Sequence, residues 1–399
     1  MTRPPFEVAD VIRDHAEAFV RACGGAVSSA KKRVMRRLVA CRTAALGGHV
    51  ESCDRCDYQR IAYNSCRDRH CPKCQASARA QWVEAREADL LPVTYFHVVF
   101  TVPPEIAAIA LQNKRVMYGI LMRASADTLL QIAADSKHLG AAIGFLSVLH
   151  TWGQTLVHHP HVHCVVPGGG LGDDGRTWVS CSPGFFLPLK VLSSVFRGKF
   201  LDMTRRAFAR GDLVFQGRLA HLADPEAFAG HLRRTYANDW VIYSKPPFGG
   251  VKQVFKYLAR YMHRVAIANS RIVAMGNGTV SFRWKDYARG SRHRTMTLEG
   301  PEFLRRFLQH VLPKGFVRIR SYGLLANGVR ATRLAACRVA LNVATETEAS
   351  ATVAATLDSK SLPLCPSCKR GHPIPGPNLT ALSLQLIIRR PQPAGIDSS

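Results

Sequence analysis

The 399 residues exceed the usual length of one domain, and 47% hydrophobic with 21% charged residues is the composition of an ordinary globular protein. The charge balance is unusual, because 54 Lys and Arg residues against 28 Asp and Glu residues give a net charge of +26. Such an excess attracts polyanions, and nucleic acid is the first candidate. The alternative is a basic ribosome-associated or membrane-surface protein, although the basic residues are spread along the chain rather than gathered in one tail.

The cysteines and the apolar segments indicate the compartment. Five of the 12 cysteines lie between positions 53 and 74, without the distributed spacing of a disulfide scaffold, which favours metal ligands in a reducing compartment. The first residues lack the apolar region of a secretory signal, and no apolar stretch reaches the roughly 18–20 residues that span a bilayer. We therefore expect a cytoplasmic, nucleoid-associated protein with no membrane partner.

The N-terminal part of the chain is predicted to be helical. Apolar residues recur at helical spacing from Phe6 to Ala22 and, in a strongly basic stretch, from Ser29 to Leu46. Gly47-Gly48 ends the second helix and introduces the cysteines. A third helix is expected from Gln75 to Leu91, stopped by Pro92, and a buried β-branched and aromatic strand from Thr94 to Val102.

Two CxxC units in this part predict a structural zinc site. Four thiolates from two such turns give a closed tetrahedral site, and the loop between the units is close in length to that of zinc ribbons. The expected ligands of this Zn²⁺ are Cys53, Cys56, Cys71 and Cys74. Three nearby residues could replace a cysteine, bind a second ion or support the site: Cys66, His70 and His49. Cys365 and Cys368 form half a site, whose partner could be His372, Cys337 or another chain, unless the spacing is a coincidence.

The remaining elements predict an α+β fold. Helices are expected from Glu105 to about Ala134, Leu189 to Arg210, Val251 to His263 and Pro301 to Leu312. An apolar segment from Ala141 to His150 precedes a strand from His161 to Val166, and shorter strands are expected at 271–274, 279–284 and 294–298. Without a regular βαβ rhythm, this order favours a largely antiparallel sheet. The tail beyond Glu346 is expected to be poorly ordered apart from its CxxC unit.

Two short motifs in this part carry candidate chemistry. In the strand segment His161-Val162-His163, alternate side chains share a face, so the two imidazoles can share a metal ion while Val162 packs on the opposite side. In Tyr257-Leu258-Ala259-Arg260-Tyr261, residues four apart on a helix lie about 5–6 Å from each other and present two phenols on one face. Each motif alone is weak, because the histidines can be ordinary surface residues and the tyrosines can be core packing.

In combination, the motifs resemble those of a known family. The segments that carry the resemblance are Asn64-Ser65-Cys66-Arg67-Asp68-Arg69-His70-Cys71-Pro72-Lys73-Cys74, then Leu149-His150-Thr151-Trp152-Gly153-Gln154 leading to His159-Pro160-His161-Val162-His163, and the tyrosine helix with His263-Arg264. Together they resemble the rolling-circle transposases of the insertion sequence ninety-one type, which are HUH-superfamily nucleases with paired tyrosines. The resemblance extends from the zinc finger to Tyr322-Gly323-Leu324-Leu325-Ala326-Asn327 and covers most of the chain.

The resemblance implies a fold, a reaction and its residues. It implies an HUH endonuclease core with a central antiparallel sheet flanked by helices, preceded by a helical and zinc-finger N-terminal domain. Tyr257 and Tyr261 would be nucleophiles that cut single-stranded DNA through 5′-phosphotyrosine intermediates. His161 and His163 would hold Mg²⁺ or Mn²⁺. The first choice of third ligand comes from helix geometry instead: Gln253 would lie one turn before Tyr257 on the same face, with Gln154 and His97 as alternatives. Arg260, Arg264 and Lys256 are the candidate DNA-binding residues.

The sequence predicts three domains and nucleic acid and protein partners. We expect a zinc-binding, DNA-binding domain at 1–92, the catalytic domain at 93–328, and a C-terminal helix with a Pro-rich tail at 329–399. The partners would be single-stranded element ends and target DNA, and host helicase or replication proteins, because no GxxxxGK[ST] motif is present. The first alternative is a plasmid replication initiator or relaxase with the same chemistry. The second is a non-enzymatic zinc-finger DNA-binding protein.

Overall fold

The computed structural model describes residues 4–75, 82, 86, 89–184, 186–245, 266–287, 289–343, 364–384 and 396–398. Within these ranges, none of the helices is long and apolar enough to cross a membrane. The helices are α1 (Val8–Ala22), α2 (Ser29–Ala40), α3 (Pro104–Gln112), α4 (Lys114–Ala134), α5 (Leu189–Ala209), α6 (Pro225–Ala237), α7 (Gly300–Leu308) and α8 (Arg330–Ala340).

The strands of the described ranges form four sheets. They are β1 (Gly48–Cys53), β2 (Gln59–Tyr63), β3 (Tyr95–Thr101), β4 (Gly144–Trp152), β5 (His158–Pro167), β6 (Gly169–Leu171), β7 (Trp178–Ser180), β8 (Ile242–Lys245), β9 (Ile272–Gly276), β10 (Thr279–Asp286), β11 (Arg292–Glu299), β12 (Ile319–Gly323), β13 (Pro373–Leu379) and β14 (Ile396–Ser398).

The central sheet has five strands in the order β12-β4-β5-β3-β8, and all neighbouring strands are antiparallel. One of its faces is covered by α3, α4 and α5, where Val98, Phe100 and Val162 are fully buried in the largest apolar core. Side chains alternate between the two faces of a strand, so every second residue of β3 and β5 is committed to this core. The predicted α+β fold with a central antiparallel sheet is confirmed.

A second core joins the N-terminal helices to a segment far along the chain. Apolar residues of α1 and α2 pack with β9, β10 and α7, and the backbone amide of Val8 donates to the side chain of Asn269 at 3.1 Å. At the start of α7, a Cβ on Gly300 would lie 2.2 Å from the ring of His15, so glycine permits the close approach of α1. This core therefore contains residues from both sides of the domain boundary predicted near residue 92.

A separate four-stranded sheet joins the N-terminal hairpin to strands from the C-terminal part of the chain. Its order is β13-β1-β2-β14, with β1 and β2 forming an antiparallel hairpin and β13 antiparallel to β1. The expectation that the tail beyond Glu346 is poorly ordered apart from its CxxC unit is wrong for residues 373–379, because the free edge of β1 offers backbone hydrogen-bonding groups that β13 satisfies.

The other predicted elements that fall on described residues agree with the structure, apart from differences at their ends and one division. The strand predicted from Thr94 to Val102 is β3, and the helix predicted from Ser29 to Leu46 ends at Ala40 because Cys41 turns to an extended conformation (ψ 123°). The helix predicted from Glu105 to Ala134 is divided at Asn113, whose side chain bonds the backbone of Val214 as donor and acceptor. The predicted helix at 251–263 and most of the one at 75–91 lie outside the described residues.

Candidate functional site

Three histidines converge on the face of the central sheet opposite to the helices. The register of β4 and β5 places His150 directly across from His161, and His163 lies two residues further along β5 on the same face. One ring nitrogen from each histidine lies within 4.8 Å of the others. We call these three residues the histidine cluster. Imidazole nitrogens at this spacing are a suitable donor set for one divalent metal ion.

Hydrogen bonds fix the orientation of two of these rings. His161 donates from Nδ1 to the carbonyl oxygen of His159 at 2.6 Å, and His163 Nδ1 is hydrogen-bonded to His97 Nε2 at 2.7 Å. The His97 and His163 rings are also stacked, with centroids 4.9 Å apart. Because each Nδ1 is engaged, Nε2 of both residues is the atom that would contact an ion. Outer hydrogen bonds of this kind set the tautomer of a metal-ligating histidine.

The surroundings keep the imidazoles neutral. Burial lowers the pKa of His161 to about 3 and that of His97 to about 4. Burial first, and then the neighbouring His150 and His161, hold the pKa of His163 well below its ordinary value. A neutral imidazole is the form that binds a metal, so His161 and His163 are in the binding form at neutral pH.

The sequence pattern correctly assigned the faces of β5. Val162 is fully buried in the core under the helices, as the alternation predicted. His158 also lies on the helix side, where its Nε2 is hydrogen-bonded to the Tyr118 hydroxyl at 2.8 Å. His159 is exposed beside His161, with ring centroids 5.1 Å apart.

The residue that completes the cluster is His150, which lies in a segment that carries the family resemblance but is not among the ligands that the sequence predicts. His97, one of the alternative third ligands, lies behind the cluster, where its Nε2 is hydrogen-bonded to His163 Nδ1. Gln154 follows the end of β4, and its carbonyl accepts from the Arg271 guanidinium. Pairing the two strands as a hairpin would have identified His150, because the register places it opposite His161.

The predicted nucleophiles and DNA-binding residues lie outside the described residues, as does the first choice of third ligand: Tyr257, Tyr261, Lys256, Arg260, Arg264 and Gln253. The chain enters the segment that contains these six residues from β8, whose Lys245 pairs with His97 on β3. It leaves the segment at Ala266 and Ile267, which are buried in the same core as Leu156. Both flanks are thus attached to parts of the molecule that adjoin the histidine strands.

The four cysteines predicted to bind one zinc ion do not lie together. Cys71 and Cys74 group with Cys41 and Cys66, whereas Cys53 and Cys56 group with Cys365 and Cys368. We call the first group the core cysteine cluster and the second the terminal cysteine cluster. The single predicted site from Cys53, Cys56, Cys71 and Cys74 is therefore corrected to two separate clusters.

The β1–β2 hairpin explains the division. Cys53 and Cys56 lie at its turn, while Cys41 precedes β1 and Cys66 follows β2, so these two lie at the open end. Each strand of five or six residues is about 17–20 Å long, which is too far for both CxxC units to reach one ion. The spacing of CxxC units along the sequence does not contain this information.

The core cysteine cluster has the geometry of a structural zinc site. The Sγ atoms of Cys66 and Cys74 are 3.7 Å apart, and the backbone amides of Cys66 and Asp68 donate to the sulfurs of Cys41 and Cys66 at 3.5 Å each. Sulfurs around a tetrahedral zinc with bonds of about 2.3 Å are separated by about 3.8 Å. All four cysteines are buried in the second core, so a zinc ion here would be part of that core.

The residues around this cluster mostly serve the fold. His70 is held by Asp68 (Nδ1 to Oδ1, 2.8 Å) and accepts from the Leu312 amide through Nε2, so it supports the cluster rather than joining it. Lys73 pairs with Glu7 at 3.0 Å, and Arg69 donates to the Phe316 carbonyl. Of the basic residues around the predicted finger, Arg55 and Arg67 are exposed.

Two family models match the chain. One described as “Transposase zinc-binding domain”, of the IS91 type, matches residues 11–102, and one described as “Putative transposase” matches residues 144–333. “Putative transposase y4qJ” of Sinorhizobium fredii is 54% identical over 381 residues, which cover 94% of this chain and 96% of that protein. “Transposase for insertion sequence element IS801” of Pseudomonas savastanoi pv. phaseolicola is 30% identical over 328 residues, covering 80% and 76%.

Solved structures of a conjugative relaxase, TrwC in complex with oriT DNA, also match. The metal-bound structure is 17% identical, covers 46% of this chain and 67% of that chain, and has a TM-score of 0.25. The metal-free structure is 17% identical, covers 54% and 71%, and has a TM-score of 0.24. Likeness at this level supports no conclusion about mechanism. The two transposase relatives match over most of their own length, and this chain therefore belongs to the IS91-type transposase family.

Proposed function

We propose that this transposase cuts and rejoins single-stranded DNA through 5′-phosphotyrosine intermediates in the rolling-circle transposition of an insertion sequence. The observation that carries the proposal is the histidine cluster, His150, His161 and His163, on the face of the central sheet opposite to the helices. Burial lowers the pKa of His161 and His163, hydrogen bonds orient both rings, and one nitrogen from each of the three histidines lies close enough to share one ion. The metal would be Mg²⁺ or Mn²⁺, and imidazole donors favour the latter.

The histidines would act by binding and orienting the reacting phosphate. A divalent ion held by Nε2 of His161 and His163 and by a ring nitrogen of His150 would polarise the scissile phosphate and offset the charge that grows on its oxygens. His97 and the carbonyl of His159 keep His163 and His161 pointed toward this position. Removing either support would leave the ligand present but less well oriented.

The tyrosines would supply the nucleophile. A phenolate oxygen of Tyr257 or Tyr261 attacks phosphorus, the bond from phosphorus to the 3′ oxygen breaks, and a free 3′-OH leaves while the 5′ phosphate stays on the tyrosine. The phenol has an ordinary pKa near 10, so it needs nearby positive charge, for which Arg260 and Arg264 are candidates. A later 3′-OH can reverse the step and reseal the strand without ATP.

DNA is the partner that both the family and the charge support. The net charge of +26 favours a polyanion, and the exposed Arg55 and Arg67 near the hairpin can contact phosphates. Lys256 is a further DNA-binding candidate from the sequence. Unwinding would come from a host helicase or from replication proteins, since the sequence has no GxxxxGK[ST] motif.

A covalent-trapping experiment tests the proposal. Single-stranded oligonucleotides from the element's ends are labelled at the 3′ end, incubated with protein and Mn²⁺, and resolved on a denaturing gel. The 3′ label is required because the tyrosine retains the downstream fragment. We expect a labelled protein band that is lost in Tyr257→Phe/Tyr261→Phe and in His150→Ala, and that remains in Tyr243→Phe, an exposed tyrosine on β8.

The outcomes separate the candidate functions. An adduct that survives the double Phe substitution overturns the assignment of the nucleophiles. DNA binding without any adduct favours a non-enzymatic zinc-finger protein. A replication initiator or relaxase would form the adduct on an origin sequence in preference to the element's ends.

A further inference from the structure

The terminal cysteine cluster joins residues from opposite ends of the chain. Cys53 ends β1 and Cys56 lies in the hairpin turn, while Cys365 and Cys368 lie just before β13. Strand β13 pairs with β1 so that Pro373 is opposite Cys53. The register therefore brings two CxxC turns, more than 300 residues apart in sequence, to the same end of one sheet.

The sulfur positions fit a tetrahedral ion. Cys53 Sγ lies 3.7 Å from Cys368 Sγ, and Cys56 Sγ lies 3.8 Å from Cys365 Sγ. All four sulfurs are within 4.8 Å of one another. A disulfide requires about 2.05 Å between sulfurs, whereas zinc with four thiolates separates them by about 3.8 Å. The spacing matches the second arrangement.

Backbone donors around the sulfurs support the charged form that a metal needs. The amide of Arg55 donates to Cys53 Sγ at 3.4 Å, and the amide of Gly371 donates to Cys368 Sγ at 3.3 Å. The two turns are also tied directly, because the His372 amide donates to Asp54 Oδ1 at 2.7 Å. These contacts orient the ligands from outside the first coordination sphere.

Gly371 shows how closely the two turns approach. A Cβ at this position would lie 2.5 Å from Cys53 Sγ and 2.3 Å from Asp54 Oδ1. Any larger residue would push the C-terminal turn away from β1. The position thus provides a way to disturb the cluster without changing a sulfur.

We propose that Cys53, Cys56, Cys365 and Cys368 bind a second structural zinc ion, which fastens the C-terminal strand β13 to the N-terminal hairpin. The site is separate from the core cysteine cluster and independent of the cleavage chemistry. It is also the more accessible of the two. Cys53, Cys56 and Cys368 are only partly buried, whereas the four cysteines of the core cluster are buried. A chelator reaches the terminal ion first.

Zinc content measured by native mass spectrometry tests the proposal. All proteins carry His161→Ala and His163→Ala, so that zinc bound at the histidine cluster is not counted. We expect two zinc ions per chain in this background and one after Cys365→Ser/Cys368→Ser. The matched control is Cys23→Ser, a cysteine outside both clusters, which keeps two. A single zinc ion in the background protein, or two in the Cys365→Ser/Cys368→Ser variant, overturns the proposal.

Gly371→Ala extends the test to a variant that retains every sulfur. We expect a chelator to remove zinc from the terminal cluster of this variant about tenfold faster, or more, than from the terminal cluster of the parent protein. The slower release of zinc from the core cluster should be unchanged. Release kinetics identical to those of the parent protein would show that the turns do not meet at a metal, and would contradict the proposal.

A protease-cleavage experiment tests whether the metal holds β13 on the N-terminal hairpin. A site-specific protease sequence inserted between residues 352 and 353 allows the chain to be cut between the two parts of the cluster. The C-terminal fragment should co-elute with the rest of the protein in zinc and separate after mild chelation. Cys365→Ser/Cys368→Ser should separate without a chelator. A fragment that stays attached in both cases would mean that strand pairing alone holds it, and the fastening role would be rejected.

Discussion

The core cysteine cluster and the histidine cluster both bring metal-binding side chains together, but the fold depends on them differently. The four cysteines come from the end of α2 and the loop after β2, and their sulfurs are buried among the side chains of the second core. The histidines come from two adjacent strands, whose positions are fixed by apolar residues on the opposite face. The first site is therefore part of a core, whereas the second lies on a sheet that the core on its other face already stabilises.

The largest effect on stability is expected from Cys71→Ser. Cys71 is 2% exposed, and its replacement removes one of the four sulfurs of the core cysteine cluster, which hold the loop after β2. Because structural zinc contributes directly to folding, we expect the free energy of unfolding to fall by about 3 kcal/mol or more. Denaturant unfolding followed by circular dichroism measures the change, with Cys23→Ser as the control. A loss below about 1 kcal/mol would place the cluster outside the determinants of the fold.

A smaller loss of unfolding free energy is expected from Val162→Ala. Val162 lies between two histidines of the cluster. The valine is fully buried under the helices, so the change removes two methyl groups from a packed core and leaves a cavity. We expect a loss of about 2 kcal/mol, with Mn²⁺ binding retained. Urea unfolding and a Mn²⁺ titration measure the two quantities, and Val241→Ala on the surface is the control. Loss of Mn²⁺ binding in a folded protein would show that the two faces are not independent.

The sequence predicted the sheet and its faces better than the metal clusters. Alternation in β5 depends on local geometry, and it correctly placed Val162 in the core and His161 with His163 on the other face. The third histidine and the partners of each CxxC unit depend on strand register and on the pairing of β1 with β13. Those are contacts between distant segments, which spacing along the chain does not encode.

A pH-dependent effect is expected from His310, a buried histidine outside both clusters. Burial lowers its pKa to about 3, and the ring is hydrogen-bonded to the Thr151 hydroxyl and the Leu156 carbonyl. The unfolded chain, with an ordinary histidine pKa near 6.5, takes up the proton first. Stability should therefore fall as the pH drops from about 6.5 towards 3, by up to about 1.4 kcal/mol per pH unit for this group.

Replacement of this histidine isolates its contribution. In His310→Gln, the free energy of unfolding should depend less steeply on pH between 6.5 and 5, whatever its value at pH 7. Urea unfolding at a series of pH values measures the slope, with the exposed His138→Gln as the control. An unchanged slope in His310→Gln would mean that other groups account for the acid sensitivity of the fold.

The smallest effect on stability is expected at the histidine cluster itself. The strand around His161 is anchored by Val162 and Cys164, both fully buried on the other face, so His161→Ala should change the metal-free unfolding free energy by less than about 0.5 kcal/mol. The variant should instead lose the stabilisation that Mn²⁺ gives the parent, which is about 2.7 kcal/mol at one hundred times the dissociation constant. Thermal unfolding with and without Mn²⁺ measures both, with His138→Ala as control. If metal-free His161→Ala were as unstable as Cys71→Ser, the histidines would be part of the fold, and the distinction between the two kinds of site would fail.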